Sequence, residues 1–230
     1  MSKRSNFAPR PKDFWRTPRE ALAPLLPYLP AGTIFAEPCA GDGTLVDLLE
    51  RAGHKCVWAT DMWPARDDIG QADALMLRNI GADCFITNPP WRRDWLHPLI
   101  DHLSSMLPAW LLFDADWPHT KQSAVLIRRC SQIIPIGRIK WIPDSASAGK
   151  DNCCWYEFLP GHKDGPQFVG YPAPCGAHPA PVAGIPTTAP EIAETAPLPT
   201  AAPPIPSSSD LLARLRGKMR PMEIPKLRAE

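Results

Sequence analysis

The chain predicts an α/β protein, a mostly parallel sheet covered on both faces, followed by a proline-rich tail. Three observations carry this. Short apolar runs alternate with amphipathic helical patterns from Thr33 to Cys130. Two glycines, Gly41 and Gly43, lie in the turn between the first run and the first long helical pattern. Composition then changes sharply near Gly165. The hydrophobic share of 44% over 230 residues is enough for a real core.

Taken in order, Thr17-Pro18-Arg19-Glu20 reads as a Thr-x-x-Glu capping box with proline at the first helical position. Ala21, Leu22, Leu25 and Leu26 give that helix an apolar face, which Pro24 and Pro27 distort or shorten. Thr33–Glu37 is the first strand. Leu45, Leu48, Leu49 and Ala52 then keep helical spacing up to Gly53, a stop signal. Lys55–Thr60 and Asp83–Thr87 are strands, and Trp95, Leu96, Leu99, Ile100 and Leu103 mark the helix that follows the latter. Trp110–Phe113 is another strand, and a helix is expected from about Lys121 to Cys130. Two closing strands, near Ile133–Trp141 and Cys153–Leu159, flank the polar loop Asp144–Asn152. A loop in place of a helix between them predicts an antiparallel pair at the sheet edge.

Residues 166–206 hold 12 of the 30 prolines and few aromatics. Such a stretch buries too little apolar area to offset its ordering entropy, so a disordered linker is expected. Ser209 to Gly217 then reads as a short basic helix, either a contact for nucleic acid or a protein partner or a frayed soluble tail. The expected division is thus a domain over 1–165, a linker over 166–206 and a helix or tail over 207–230.

The net charge of +1 hides an uneven distribution. Residues 1–20 carry six Lys/Arg against two Asp/Glu, and residues 207–230 carry six against three, so the body between is acidic. Basic ends of this kind suit a polyanionic partner or plain solubilising tails. Seven cysteines without a C-x-x-C pair give no zinc or disulfide framework, which points to a reducing, cytoplasmic setting and no metal. No apolar run approaches membrane-spanning length and no secretory h-region follows the basic N-terminus, so no membrane association is expected.

The chemistry concentrates in two segments. In Glu37-Pro38-Cys39-Ala40-Gly41-Asp42-Gly43-Thr44 the glycines let backbone approach a ligand and set helix N-terminal amides beside it. Asp61 lies 18 residues beyond Gly43 at the end of a strand, where a carboxylate can accept both hydroxyls of a ribose. Val46 stands where a third glycine belongs in a dinucleotide fingerprint, which favours an adenosine ligand without phosphates. Asp73 comes where the third strand of such a sheet should end and could accept from an adenine amino group. The second segment is Asn88-Pro89-Pro90-Trp91, directly after the apolar run Cys84-Phe85-Ile86-Thr87. Prolines fix φ near about −65° and remove donors, so local carbonyls are free to accept. Asn88 adds a side-chain carbonyl and Trp91 a stacking surface. Together they can hold a planar amino or amide group still.

The order of Thr-Pro segment, Glu-Pro-Cys-Ala-Gly-Asp-Gly, Asp61, Asp73 and Asn-Pro-Pro-Trp resembles the class I S-adenosylmethionine-dependent amino-methyltransferases. More narrowly it is similar to the N6-adenine DNA methyltransferases of phages and prophages, as is Pro143 through Phe158 with Gly149-Lys150-Asp151-Asn152 and Trp155-Tyr156. The resemblance spans about residues 13–160 and not the tail. It implies a Rossmann-like, doubly wound sheet of seven strands with an antiparallel edge strand. It implies S-adenosylmethionine as cofactor, with Glu37, Gly41 and Gly43 at its methionine part, Asp61 at the ribose, Asp73 near the adenine, and Ala40 and Met62 also among the residues that bind it. Trp15 and Thr17 would close over it, and Asn88 would border it. Asn88, Pro89, Pro90 and Trp91 would be catalytic, with Trp91 in place of the family's usual Tyr or Phe. DNA would be the partner, in a bacterial or phage-infected cell.

The expected reaction is methyl transfer to adenine N6. Asn88 Oδ1 and the Pro89 carbonyl accept the amino hydrogens while positioning supplies most of the rate. A duplex base would leave the stack to reach them, at a cost of roughly a few kcal/mol. Stacking on Trp91 would offset about 1–3 kcal/mol of that. Arg92, Arg93, Arg138 and Lys140 are candidates for phosphate contacts or plain surface charge. There is little room for a target-recognition region, so low sequence specificity is expected. The same clamp suits RNA bases or protein glutamine, and a non-catalytic nucleic-acid-binding protein on a degenerate version of the fold is a further alternative.

Overall fold

The computed structural model describes residues 15–78, 81–142, 149 and 151–170. The chain divides into two units, residues 1–178 and 179–230. The second unit, with the expected Ser209–Gly217 helix, lies outside the described residues, as do residues 171–178, Pro143, Lys150 and most of the loop 144–152.

Eight strands form one sheet: β1 (Ile34–Glu37), β2 (Lys55–Asp61), β3 (Gly70–Gln71), β4 (Cys84–Thr87), β5 (Ala109–Asp114), β6 (Cys130–Gly137), β7 (Cys153–Phe158) and β8 (Gln167–Phe168). Their order is β3-β2-β1-β4-β5-β7-β6-β8. β1 to β5 pair in parallel, in registers such as Ile34 opposite Lys55 and Phe85 opposite Ala109. The expected antiparallel pair lies toward one edge, with β7 running against both β5 and β6. The eighth strand, β8, pairs with β6 just past the expected domain boundary at 165, so the sheet takes in residues assigned to the linker.

Burial explains the pattern. β4 is buried at every position, as a central strand covered on both faces must be, and its sequence is accordingly an unbroken run rather than an alternation. On β5, Trp110 and Leu112 enter one core, with Phe35, Leu45, Leu49 and Trp155, while Leu111 and Phe113 enter the other, with Leu96, Ile100, Tyr156 and Phe158. Helix α2 (Thr44–Arg51) buries Leu45, Val46 and Leu49. It stops where Gly53 takes φ 93°, with the Gly53 and His54 N–H groups donating to the carbonyls of Glu50 and Leu49. Helix α3 (Arg93–Met106) buries Leu96, Leu99, Ile100 and Leu103 on its inner face and carries Pro98 on an exposed side.

Three local expectations fail for identifiable reasons. Helix α1 is only Arg19–Leu22, capped by Pro18 without a side-chain bond, and the Thr17–Glu20 capping box does not form. Thr17 Oγ1 accepts from Asn88 Nδ2 at 3.2 Å instead. The helix expected over Lys121–Cys130 is replaced by 3-10 turns at Lys121–Ser123 and Leu126–Arg129, and β6 already begins at Cys130. Ser123 Oγ turns back to the Thr120 and Pro118 carbonyls, at 2.8 and 3.2 Å, which competes with continued helix. β6 likewise stops at Gly137, where φ is 83°, short of the expected Trp141.

Candidate active site

The C-terminal ends of β1, β2 and β4 meet on one edge of the sheet, where the chain reverses between helices of opposite faces; ligands in open α/β sheets bind at such a switch point. A cavity of about 650 Å³ opens there. It is a size suited to a small organic molecule.

Its floor is built from the loop leaving β1. Gly41 and Gly43 adopt φ of 57° and 74°, which only glycine takes without strain. A Cβ on Gly43 would stand 2.5 Å from the Arg66 guanidinium, which is bonded to Asp47 and Asp68. Asp42 Oδ1 accepts from the backbone N–H and hydroxyl of Thr44 and so starts α2. Burial works against the charge on Asp42, but the Thr44 bonds and the Arg16 guanidinium at 2.6 Å outweigh it and hold the carboxyl below its ordinary range. The loop is tied to β2 by Asp61, whose Oδ2 accepts from Gly41 N–H at 2.9 Å and whose Oδ1 accepts from Trp63 N–H at 2.7 Å.

Glu37 ends β1, is 1% exposed and lines the cavity. Its Oε2 is buried without a hydrogen-bond partner. Burial raises its carboxyl well above the usual range, and the negative charges of Asp61 and Asp42 add to that. A buried carboxyl with an unpartnered oxygen is a costly arrangement unless something fills it.

Of the residues expected to hold a cofactor, Trp15, Thr17, Glu37, Ala40, Gly41, Asp61, Met62, Asp73 and Asn88 all line this cavity, and Gly43 stands behind it as the first residue before α2. Asp73 is partly engaged, accepting from Leu75 N–H at 2.9 Å. Of the four residues expected to be catalytic, Asn88 and Pro90 line the cavity, Pro89 is buried, and Trp91 stands half-buried with its indole N–H donating to Asn88 Oδ1 at 3.2 Å. The basic candidates divide. Arg92 pairs with Asp94 at 2.6 Å and Arg93 with Asp114 at 2.9 Å, so both guanidiniums already have carboxylates. Arg138 and Lys140 are exposed, just past the end of β6.

Three tryptophans were not singled out from the sequence. Trp63 and Trp95 both line the cavity and stack with centroids 5.9 Å apart. Trp141 sits edge-on to Trp91 at 5.5 Å and to Trp15 at 6.4 Å. Of these only Trp95 is placed by the sequence, on the helix after β4. Among the described residues no cluster of His, Cys, Asp and Glu could hold a metal ion, and no helix is long and apolar enough to cross a membrane.

No family model matches the chain. No curated protein matches it either. Solved structures that share its arrangement include the methyltransferase subunit of a type I restriction-modification system from Streptococcus thermophilus, at 10% identity over 64% of this chain and 45% of that one, TM-score 0.45. A dimethyladenosine transferase from Plasmodium falciparum matches at 12% identity, 63% and 62% coverage and TM-score 0.43. A TehB-like S-adenosylmethionine-dependent methyltransferase from Corynebacterium glutamicum matches at 15% identity, 61% and 86% coverage and TM-score 0.40. The chain thus spans under half of the restriction subunit's length and under two thirds of the dimethyladenosine transferase. None of these likenesses carries chemistry over to this chain.

Proposed function

We propose that this chain binds S-adenosylmethionine in the cavity and transfers its methyl group to the exocyclic N6 amino group of adenine in DNA, with low sequence specificity. One observation carries the reading: the Asn88 amide is fixed at the wall of a cavity whose opposite features are a buried carboxyl, a tight glycine turn and a strand-end aspartate.

The residues fit such a cofactor. The unpartnered Oε2 of Glu37 offers a buried acceptor, and when ionised a negative charge, to the donor group of a cationic ligand. Gly41 lines the cavity without a side chain, which permits close approach, and Asp61, with two backbone amides already on its oxygens, keeps further lone pairs for hydroxyl groups. When bound, the cofactor supplies an electrophilic methyl group. The protein's own part is to place the acceptor. Asn88 Oδ1 and the Pro89 carbonyl draw on the amino hydrogens, which localises the nitrogen lone pair and orients it. The new N–CH3 bond would replace the donor's S–CH3 bond, the neutral thioether would leave, and the surplus proton of the methylated nitrogen would pass to water, so the scheme uses neither a strong base nor a metal.

The assignment to adenine in DNA rests on the Asn-Pro-Pro-Trp motif in its order with the glycine turn and on the similarity of the closing strands. Incubation of the protein with radiolabelled S-adenosylmethionine and DNA, RNA or cell protein tests the reading. Label should enter DNA; label confined to RNA or protein would move the acceptor, and no label with no cofactor binding would defeat the proposal.

A further inference from the structure

Asn88 has two amide hydrogens and a carbonyl oxygen with two lone pairs. Both hydrogens are committed, since Nδ2 donates to the Trp15 carbonyl and to Thr17 Oγ1, each at 3.2 Å. On its other side Oδ1 accepts the Trp91 indole N–H, also at 3.2 Å. A backbone carbonyl only accepts and an indole N–H only donates. The amide therefore cannot turn over without setting nitrogen against N–H and oxygen against carbonyl. What is left is one lone pair of Oδ1, on a residue that lines the cavity.

We infer that Trp91 is a positioning residue: its indole N–H locks the Asn88 amide so that a single acceptor lone pair, and no donor, faces the group being methylated. The inference rests on the proposed reaction and deepens it. An acceptor bearing N–H hydrogens, such as an exocyclic amino group or a primary amide, meets that lone pair with a hydrogen. One offering only lone pairs meets repulsion.

The indole is itself held. Trp141 lies edge-on to Trp91 with an interplanar angle of 82° and edge-on to Trp15 at 66°. Gly149 closes the connection beside it, donating its N–H to the Ile139 carbonyl at 2.8 Å, and a Cβ there would come within 3.2 Å of the Trp141 ring. The catalytic loop, the N-terminal segment and the connection after β6 thus converge on one amide. Phenylalanine at position 91 would keep an aromatic face and lose the hydrogen bond; the indole, unlike a phenyl ring, has this second use.

Two measurements on the full chain test this. In the first, Trp91→Phe is compared with the unchanged protein in steady-state transfer from S-adenosylmethionine to adenine-containing DNA. The expected result is a fall of about tenfold or more in kcat, near 1.4 kcal/mol, with the KM for DNA and the affinity for S-adenosylmethionine within about twofold. Unchanged kcat, or a raised KM for DNA with kcat intact, is the signature of a purely stacking ring and overturns the inference. In the second, solvent exchange of the Trp91 indole N–H is followed by NMR in the nitrogen-labelled protein and in Asn88→Ala. Slow exchange that is lost in Asn88→Ala supports the lock, and exchange indifferent to Asn88 overturns it. The NMR measurement needs neither DNA nor turnover, so it also decides the matter if Trp91→Phe does not fold. Failure of the unchanged protein to methylate any DNA defeats the proposed reaction separately.

Discussion

The Asp61 carboxylate accepts the backbone N–H of Gly41 at 2.9 Å, binding the end of β2 to the glycine turn that leaves β1. The same group accepts from Trp63 N–H at 2.7 Å and so also fixes the loop that carries Trp63 over the cavity. A residue expected only to bind a ribose therefore also shapes the floor on which the ligand rests. Asp61→Ala should weaken S-adenosylmethionine binding by at least about tenfold. It should also lower stability by about 1–3 kcal/mol, the cost of unsatisfied amides. Titration calorimetry and denaturant melts check the two effects, and a variant with weaker binding but unchanged stability would confine Asp61 to the ligand.

On the proposed binding of S-adenosylmethionine, Glu37 should make the affinity pH-dependent. Its carboxyl is raised well above the usual range by burial and by Asp61 and Asp42, so the empty site retains the Glu37 proton at pH values where a free glutamate is ionised. A cationic ligand favours the carboxylate, so binding releases that proton and tightens as pH rises toward the raised pKa. Affinity measured across pH should rise in this way in the unchanged protein and be flatter in Glu37→Gln.

His97 should make stability fall on acidification. Trp117 Nε1 donates to His97 Nε2 at 3.0 Å, which requires that nitrogen to be unprotonated. Burial, with the Arg93 charge adding, lowers the His97 pKa below 6.5. Below pH 6.5 the unfolded chain takes up a proton that the folded protein resists, so stability present at neutral pH is lost as pH drops from 6.5 to the lowered value. His54, lowered by burial, acts in the same direction. Thermal melts at stepped pH should show the loss, and His97→Gln should show a smaller one.

Gly43 has two independent reasons to be glycine. Its φ of 74° strains any L side chain, and a Cβ would meet Arg66 at 2.5 Å. Gly43→Ala should destabilise by about 1–2 kcal/mol, read as a shifted denaturation midpoint. Gly32, also at positive φ but with nothing near its missing Cβ, provides the comparison in which only the backbone cost appears.

Much of this could be read in the sequence because it depends on local chemistry. The run Cys84–Thr87 is a fully buried strand, and the prolines after it end pairing and begin the site. The Gly41-Asp42-Gly43 turn announces itself through residue types that only such geometry favours. Most of what escaped depends on partners far apart in the chain. Thr17 looked like a helix cap and instead meets Asn88, 71 residues on. The pairing of Arg93 with Asp114, brought in by β5, likewise had no local signal. Trp141 gave no signal, since its place beside Trp91 is set by the fold and not by spacing. Ser123 and its neighbours kept an apolar helical pattern, yet side-chain bonds back to carbonyls broke it into 3-10 turns.

The acceptor assignment is tested most directly by quantifying N6-methyladenine in unmethylated DNA after incubation with S-adenosylmethionine and either the unchanged protein or Asn88→Ala. N6-methyladenine should accumulate with the unchanged protein and be nearly absent with Asn88→Ala, at S-adenosylmethionine concentrations that saturate both proteins. Equal accumulation with both proteins, or methylation only of another base, of RNA or of protein, would contradict it.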